Sequence, residues 1–369
     1  IVLIVEAMLG GIRQHVCDIA ENLDKDNYEV YIIYSDLRAD EAFAKDINRL
    51  RKQAKLIKCN TMKRSIGKDD YIAYKKIIKI LRKIQPDIVH CHSSKAGMVG
   101  RMAAKKCKVP LIVYTPNAYA FQSPEIPIFK KLPYILAETF LSRFATSVTI
   151  NVSKGEMRLA RKYRLDKPEK FILIYNGIPQ KKLEDKKRIR EELGLDENKY
   201  YVGVTARCEY QKDPYTFLKI AEKVTLSNEE IEFVYIGDGG MQEEMHDWIT
   251  EHKLNSKIHM LGFRTDAAFI VGALDLYLST ALYEGLPYSM IEAMRAGVPI
   301  IATDTVGNNE LVFEGINGRM FPIRDVDKAC ELILDQFEKN AIKSQNVKST
   351  FKTKFSIENM MKHLNAVYS

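Results

Sequence analysis

The chain has 369 residues, 46% of them hydrophobic and 28% charged, which exceeds one ordinary core and predicts two domains of roughly 180 residues each. This balance excludes a disordered chain, and no apolar run approaches the length of a membrane-spanning helix. The net charge of +8 is uneven: residues 1–180 hold 32 Lys+Arg against 18 Asp+Glu and the remainder 24 against 30, so the first half is basic and the second acidic.

A basic half suits nucleic acid, an anionic leaflet or a phosphorylated substrate. For one helix such as 69–83, a solvated Lys-rich face is the simpler reading. Six scattered cysteines without a C-x-x-C pair argue against a zinc site or disulfide framework and for core thiols in a reducing compartment.

Residues 1–5 read as a first strand; they are apolar but lack a basic leader and a cleavage site. Strands at 28–34, 88–91, 111–114 and 147–151 then alternate with helices at 12–23, 71–84, 96–106 and 154–163, the βαβ rhythm of a parallel sheet covered on both faces. His90 and His92 end a strand and share a face. With no third ligand adjacent, they predict a structural or acceptor-side role, not a metal pair. His15 lies four residues past Gly11 on the first helix, facing either a cleft or solvent. Segment 121–144 mixes Pro124, Pro127, Lys130-Lys131 and an apolar series through Leu132, Ile135, Leu136, Phe140 and Leu141. Such a basic-flanked amphipathic helix either lies in a membrane interface or packs on the core.

The polar stretch 178–187, with Pro179, separates a second series of strands at 200–206, 231–236, 258–261, 274–278 and 299–302. An α/β fold of two doubly wound, Rossmann-like domains is therefore expected, 1–177 and 178–355, facing across a cleft. Gly10-Gly11 follows the first strand of one series, and Gly237-Asp-Gly-Gly240 follows a strand of the other. Neither is G-x-G-x-x-G and no Walker lysine exists, so dinucleotide and ATP-loop readings are weak.

Two carboxylates, Glu284 and Glu292, bracket a helix start at Pro287, a residue suited to the first turn. The free amides and dipole of that start favour an anion such as phosphate. Glu292 lies five residues into the helix, roughly 7.5 Å along its axis. A nucleoside diphosphate sugar has the matching shape, with one Glu for the hydroxyls of each ring. The plainer alternative is a solvated loop Glu and an ordinary helix Glu. Arg207 and Lys212, flanking the end of strand 200–206, add a metal-free clamp for a leaving diphosphate. Gly10 and Gly11 let backbone approach the same phosphate.

Glu284-x7-Glu292, Arg207 with Lys212, the Gly10-Gly11 turn and Asn176-Gly-Ile178 together resemble the retaining GT-B glycosyltransferases of family four, especially the capsule and exopolysaccharide branch. The resemblance covers nearly the whole chain. It implies transfer of a sugar from a nucleotide donor in the C-terminal domain to an acceptor on the N-terminal domain, without metal or cofactor. Glu284 would contact donor sugar hydroxyls and Glu292 the ribose. Gly285, Leu286, Pro287 and Gly237 fall in the same donor region, the Tyr288 and Ser289 amides would meet sugar or phosphate, and Phe263 would flank the base. The leaving diphosphate would itself take the acceptor proton, its stabilisation being the main catalytic effect. A helix within 356–369 would return to the N-terminal domain.

One position departs from the family: Asn117 stands where many relatives have a His touching the donor sugar, and it hydrogen-bonds without titrating. The branch implies a polyprenyl-diphosphate-linked saccharide acceptor, hence a cytoplasmic enzyme peripheral on the inner, anionic face of the membrane; no nucleic-acid partner is expected. A sugar-nucleotide epimerase of the same fold is the nearest rival. A glycoside hydrolase would also use two carboxylates but leaves Arg207 and Lys212 idle. A non-catalytic membrane or polyanion binder leaves the Glu pair unexplained.

Overall fold

The structure is a computed structural model that describes residues 1–63, 67–122, 126–181 and 185–369. Contacts divide the chain into two units, Ile1–Asn176 with Ile357–Ser369, and Gly177–Ser356.

The first unit runs β1 (Val2–Val5), α1 (Gly10–Asn22), β2 (Tyr31–Tyr34), α2 (Glu41–Leu50), β3 (Lys55–Lys58), α3 (Lys68–Ile84), β4 (Ile88–His92), α4 (Ser94–Lys106), β5 (Leu111–Thr115), α5 (Ile128–Ala145), β6 (Val148–Asn151), α6 (Lys154–Lys162) and β7 (Phe171–Leu173). Its seven strands lie in the order β3-β2-β1-β4-β5-β6-β7, paired in parallel throughout. Central β1 and β4 are wholly buried, as strands covered on both faces must be. Edge β3, Lys-Leu-Ile-Lys, keeps both lysines exposed, which discourages further pairing. Gly97 and Gly100 let α4 lie close on this sheet: a Cβ would come within 2.4 Å of the Tyr114 ring at Gly97 and 2.6 Å of Cys91 Sγ at Gly100.

The second unit runs α7 (Lys186–Glu192), β8 (Tyr200–Thr205), α8 (Pro214–Ser227), β9 (Ile231–Ile236), α9 (Gln242–Glu251), β10 (Ile258–Met260), α10 (Ala267–Ile270), β11 (Leu276–Ser279), α11 (Tyr288–Ala296), β12 (Ile300–Thr303), α12 (Asn308–Leu311), β13 (Gly318–Phe321), α13 (Val326–Lys339) and α14 (Ser344–Lys354). Its sheet order is β10-β9-β8-β11-β12-β13, again all parallel. Strand order reverses beside the first strand of each sheet, between β1 and β4 and between β8 and β11, the switch points at which open α/β sheets bind ligands.

The last helix, α15 (Ile357–Tyr368), returns to the first unit. Ile357, Met360, Met361 and Leu364 join a core with Leu3, Ile19 and Ile32, and the Tyr368 hydroxyl lies 2.7 Å from His90 Nδ1. Where the chain enters the second unit, Ile178 is not a solvated linker residue: it is buried and its N–H donates to Phe355 O at 3.1 Å. Residues 182–184 of the expected linker and Pro124 lie outside the described residues.

Helix α5 divides the apolar series of segment 121–144. Ile135 and Leu141 point inward, while Leu132, Leu136 and Phe140 are exposed, so core packing accounts for only two of the five. The inner face also carries Glu138, which accepts from the fully buried Arg101 at 2.7 Å and from the Tyr114 hydroxyl at 3.0 Å. The Arg101 guanidinium stacks 3.7 Å from the Tyr114 ring centre. Among the described residues no helix is long and apolar enough to cross a membrane.

Candidate active site

The carboxyl ends of β8 and β11 open into a pocket lined by Thr205, Lys212, Tyr277, Thr280, Glu284 and Ser289, among others. Sequence dictates each wall. Asp213, at φ 47°, caps α8 by accepting from Thr216 N–H, and the tight turn before it places Lys212 at the pocket. Lys212 Nζ pairs with Glu284 Oε1, and both side chains are largely buried. Gln211 Nε2 donates to Tyr283 O at 2.8 Å and to Glu284 Oε2 at 3.4 Å. Helix α11 begins directly after Pro287, which has no side-chain acceptor to cap it. Its first turn, Tyr288-Ser289-Met290, holds no carboxylate, leaving the positive dipole end for an anion. Glu292 is half-buried one turn further on.

Sequence reasoning paired Lys212 with Arg207 and missed its ion pair with Glu284. Arg207 is exposed and bound to Glu209 at 2.6 Å, and it does not line this pocket. Tyr277 was also missed. Its hydroxyl sits 2.8 Å from Ser289 Oγ and 3.2 Å from Thr205 O, tying β8, β11 and α11 together, and burial raises its pKa above the ordinary phenol value. The one available signal is a polar-tipped side chain inside an otherwise apolar strand. Thr205 Oγ1 is buried with no partner among the described residues and lines the same pocket.

Gly307 is a third missed residue. The loop after β12 holds the Glu284 loop through Thr303 Oγ1 to Ala281 O (2.5 Å), Thr305 Oγ1 to Leu282 O (2.7 Å) and Glu284 N–H to Val306 O (3.0 Å). This approach requires glycine, since Gly307 has φ 93° and a Cβ there would lie 2.7 Å from Glu284 Cβ. Gly237 serves a similar packing need. At φ 146° a Cβ would come within 1.9 Å of Ala206 O, so its glycine joins the loops after β8 and β9. Phe263, 39% exposed, follows β10 on the same edge of the sheet.

A family profile described as "Glycosyltransferase Family 4" matches residues 9–182, and one described as "Glycosyl transferases group 1" matches residues 185–353. The chain belongs to the family-four glycosyltransferases. It is 31% identical over 258 residues to the UDP-Gal:alpha-D-GlcNAc-diphosphoundecaprenol alpha-1,3-galactosyltransferase of Escherichia coli, the match covering 68% of this chain and 66% of that one. It is 27% identical to the putative glycosyltransferase EpsD of Bacillus subtilis, over 68% of each chain. In fold, it superposes on Anabaena Alr3699/HepE, solved in complex with UDP and glucose, with a TM-score of 0.83 at 20% identity, covering 100% of this chain and 98% of that one. The lipopolysaccharide-biosynthesis glycosyltransferase WaaG gives 0.77 at 14%, covering 100% and 99%.

In this glycosyltransferase the remaining predicted residues fall in the first unit, the glycines, His15 and His92 at its own switch point and Asn117 after the neighbouring β5. His15 is buried, not on the helix surface, and its Nδ1 lies 2.7 Å from Asn176 Oδ1; an amide oxygen only accepts, so the ring donates. His90 is spent on structure, bonded at 2.7 Å to both Tyr368 and Thr115. His92 is fully buried, with neither ring nitrogen partnered among the described residues. Its ring centre lies 4.0 Å from that of His90 and 5.4 Å from that of His15. Burial lowers all three pKa values, His15 to about 4. Among the described residues no cluster of three metal-ligating side chains forms.

Asn117 and Ala118 follow β5 in left-handed backbone, φ 53° and 88°, held where Ala118 N–H donates to Glu156 Oε1 at 2.6 Å. Gly10 N–H has a partner within the first unit. It donates to Asp40 Oδ2 at 2.8 Å, so one amide of the α1 start is already satisfied. Gly11 beside it is exposed.

Proposed function

We propose that the chain is a retaining, metal-independent glycosyltransferase. It moves a sugar from a nucleoside diphosphate sugar, held by the second unit, to a polyprenyl-diphosphate-linked saccharide in capsule or exopolysaccharide synthesis. One observation carries this reading: the buried Lys212–Glu284 pair beside the carboxylate-free start of α11 at a switch point. Such a site offers positive charge to a diphosphate and a carboxylate to sugar hydroxyls, and the acceptor class follows the name of the Escherichia coli relative.

In the transfer, the acceptor hydroxyl oxygen bonds to the anomeric carbon as its bond to the phosphate oxygen breaks. The electron pair leaves with the diphosphate, which takes the acceptor proton on the same face. Lys212 and the α11 amides, with Arg207, stabilise the charge that develops there, the largest contribution such a site makes. Glu284 orients the donor sugar and Glu292 the ribose. Asn117 contributes a hydrogen bond and no proton, consistent with a mechanism lacking a protein base. His15 and His92 belong to the acceptor side. The exposed apolar face of α5 fits a peripheral position on the inner leaflet.

A panel of sugar nucleotides incubated with lipid-linked acceptors and a chelator, followed by mass spectrometry and by NMR of the product's anomeric carbon, tests this. Acceptor-dependent release of nucleoside diphosphate with the donor's configuration kept is expected. Conversion of the sugar nucleotide without acceptor would indicate an epimerase, and an inverted product would remove the retaining mechanism.

A further inference from the structure

Among the described residues of the second unit, four that are not glycine adopt left-handed backbone. Two stand at helix C-termini, where that conformation is ordinary: Lys253 just beyond α9 and Asn340 at the cap of α13. The other two, Asp213 at φ 47° and Arg324 at φ 63°, follow β8 and β13 at the carboxyl edge of the sheet and touch each other. Arg324 Nε lies 3.4 Å from Asp213 Oδ2. From the same guanidinium, Nη2 donates to the Tyr210 hydroxyl at 3.1 Å, with its carbon 5.9 Å from the ring centre.

Arginine is a costly residue at this place. An L side chain in left-handed backbone is strained where glycine is not, and an ion pair whose arginine is 56% exposed returns little stability. Local stability therefore does not account for Arg324, and strained backbone kept beside a site points to a use for the side chain. Its contacts show which use. Tyr210 and Asp213 bracket Gln211 and Lys212, the two residues that hold the carboxylate of Glu284.

Other bonds hold this turn from the chain after β11. Thr280 Oγ1 lies 2.8 Å from Lys212 O and 3.0 Å from Asp213 O, and Leu282 N–H donates to Gln211 O at 2.9 Å. They fix the backbone from Gln211 to Asp213. The half-exposed Tyr210 side chain is left to Arg324, since its hydroxyl has no other partner among the described residues. One planar guanidinium thus reaches both ends of the turn, a geometry that a lysine ammonium cannot match.

We propose that Arg324 is a positioning residue for Lys212: by tying both ends of the 210–213 turn to the loop after β13, it holds the Lys212 ammonium beside Glu284, where a diphosphate binds. Arg324 does not line the pocket, so it acts through Lys212 and not on the ligand. The inference rests on the proposed role of Lys212 and adds a residue that sets the strength of that role.

Arg324→Gly tests it, because glycine keeps the left-handed turn and removes only the guanidinium. This variant, Lys212→Ala and the double variant are titrated calorimetrically with UDP, GDP and ADP in the presence of a chelator, and each is melted to check its fold. Arg324→Gly should melt no lower than the intact chain yet bind the preferred diphosphate about threefold more weakly. In the Lys212→Ala background the same change should have no further effect, because its target is gone. In turnover the loss should fall on kcat, since Lys212 acts on charge that develops as the diphosphate leaves.

Unaltered affinity in Arg324→Gly would overturn the proposal. So would an equal loss in the Lys212→Ala background, which would mark Arg324 as an independent cation of the site, or a turnover loss confined to KM. If the intact chain binds none of the three diphosphates, or Lys212→Ala binds as tightly as the intact chain, the proposed function fails and carries this inference with it. A weakened Lys212→Ala beside an unaltered Arg324→Gly defeats this inference alone.

Discussion

The two units share the strand order 3-2-1-4-5-6, to which the first adds β7, and have one switch point each, yet the side chains gathered there differ in chemistry. In the second unit a lysine and a glutamate line a small pocket beside a helix start free of carboxylates. In the first, one amide of the corresponding helix start donates to Asp40, and three buried histidines lie at the reversal point. The same backbone therefore presents different chemistry at its two switch points, and the difference is made by a few residues at the carboxyl ends of the strands.

The sharpest way to break this contrast is to remove the charge pair. Glu284→Ala should lower turnover by on the order of 10²–10³ with the circular dichroism spectrum unchanged, and near-native activity would remove Glu284 from the site. Next, Glu138→Ala in the first unit leaves Arg101 buried without its counter-ion and should cost about 3–5 kcal/mol in urea unfolding. A loss below about 1 kcal/mol would mean that water reaches Arg101.

Acid sensitivity should belong to the first unit. His15 has its folded pKa lowered by burial to about 4 from 6.5, against the opposing hydrogen bond to Asn176. Between those values the unfolded chain binds more protons than the folded one. Stability is therefore complete above about pH 6.5 and declines as pH falls toward 4, by roughly 3 kcal/mol for this residue. His15→Gln should flatten the unfolding profile over that window, and an unaltered slope would contradict the assignment. The smallest effect is expected from Gly307→Ala, which forces a Cβ against Glu284. About 1–3 kcal/mol of strain and about a tenfold loss of turnover from the displaced carboxylate should result, measured by melting and by initial rates.

Most of the fold was legible because central strands are continuous apolar runs: β1, β8, β9 and β12 lie close to their expected bounds. The edge elements β3, β7 and β13 were not foreseen. β3 and β13 are short and interrupted or flanked by charge, as edges are, whereas β7 sits in the apolar run Phe171-Ile-Leu-Ile-Tyr175 and was legible but overlooked. Helix α2 escaped for a related reason, its apolar residues Phe43, Ile47 and Leu50 being outnumbered by charges. At the site, Glu284, Lys212 and the α11 start were readable from spacing. Tyr277 and Gly307 were not, since their roles arise from contacts between loops distant in sequence. Nor could sequence show that Asp40 accepts from Gly10 N–H, because thirty residues separate the two.

Calorimetric titration of the chain with nucleoside diphosphates in the presence of a chelator tests the central claim most directly. Saturable binding by the intact chain, weakened by about tenfold or more in Lys212→Ala, is the predicted result. Binding of equal strength in that variant, or none at all by the intact chain, would contradict an anion site at the β8–β11 switch point.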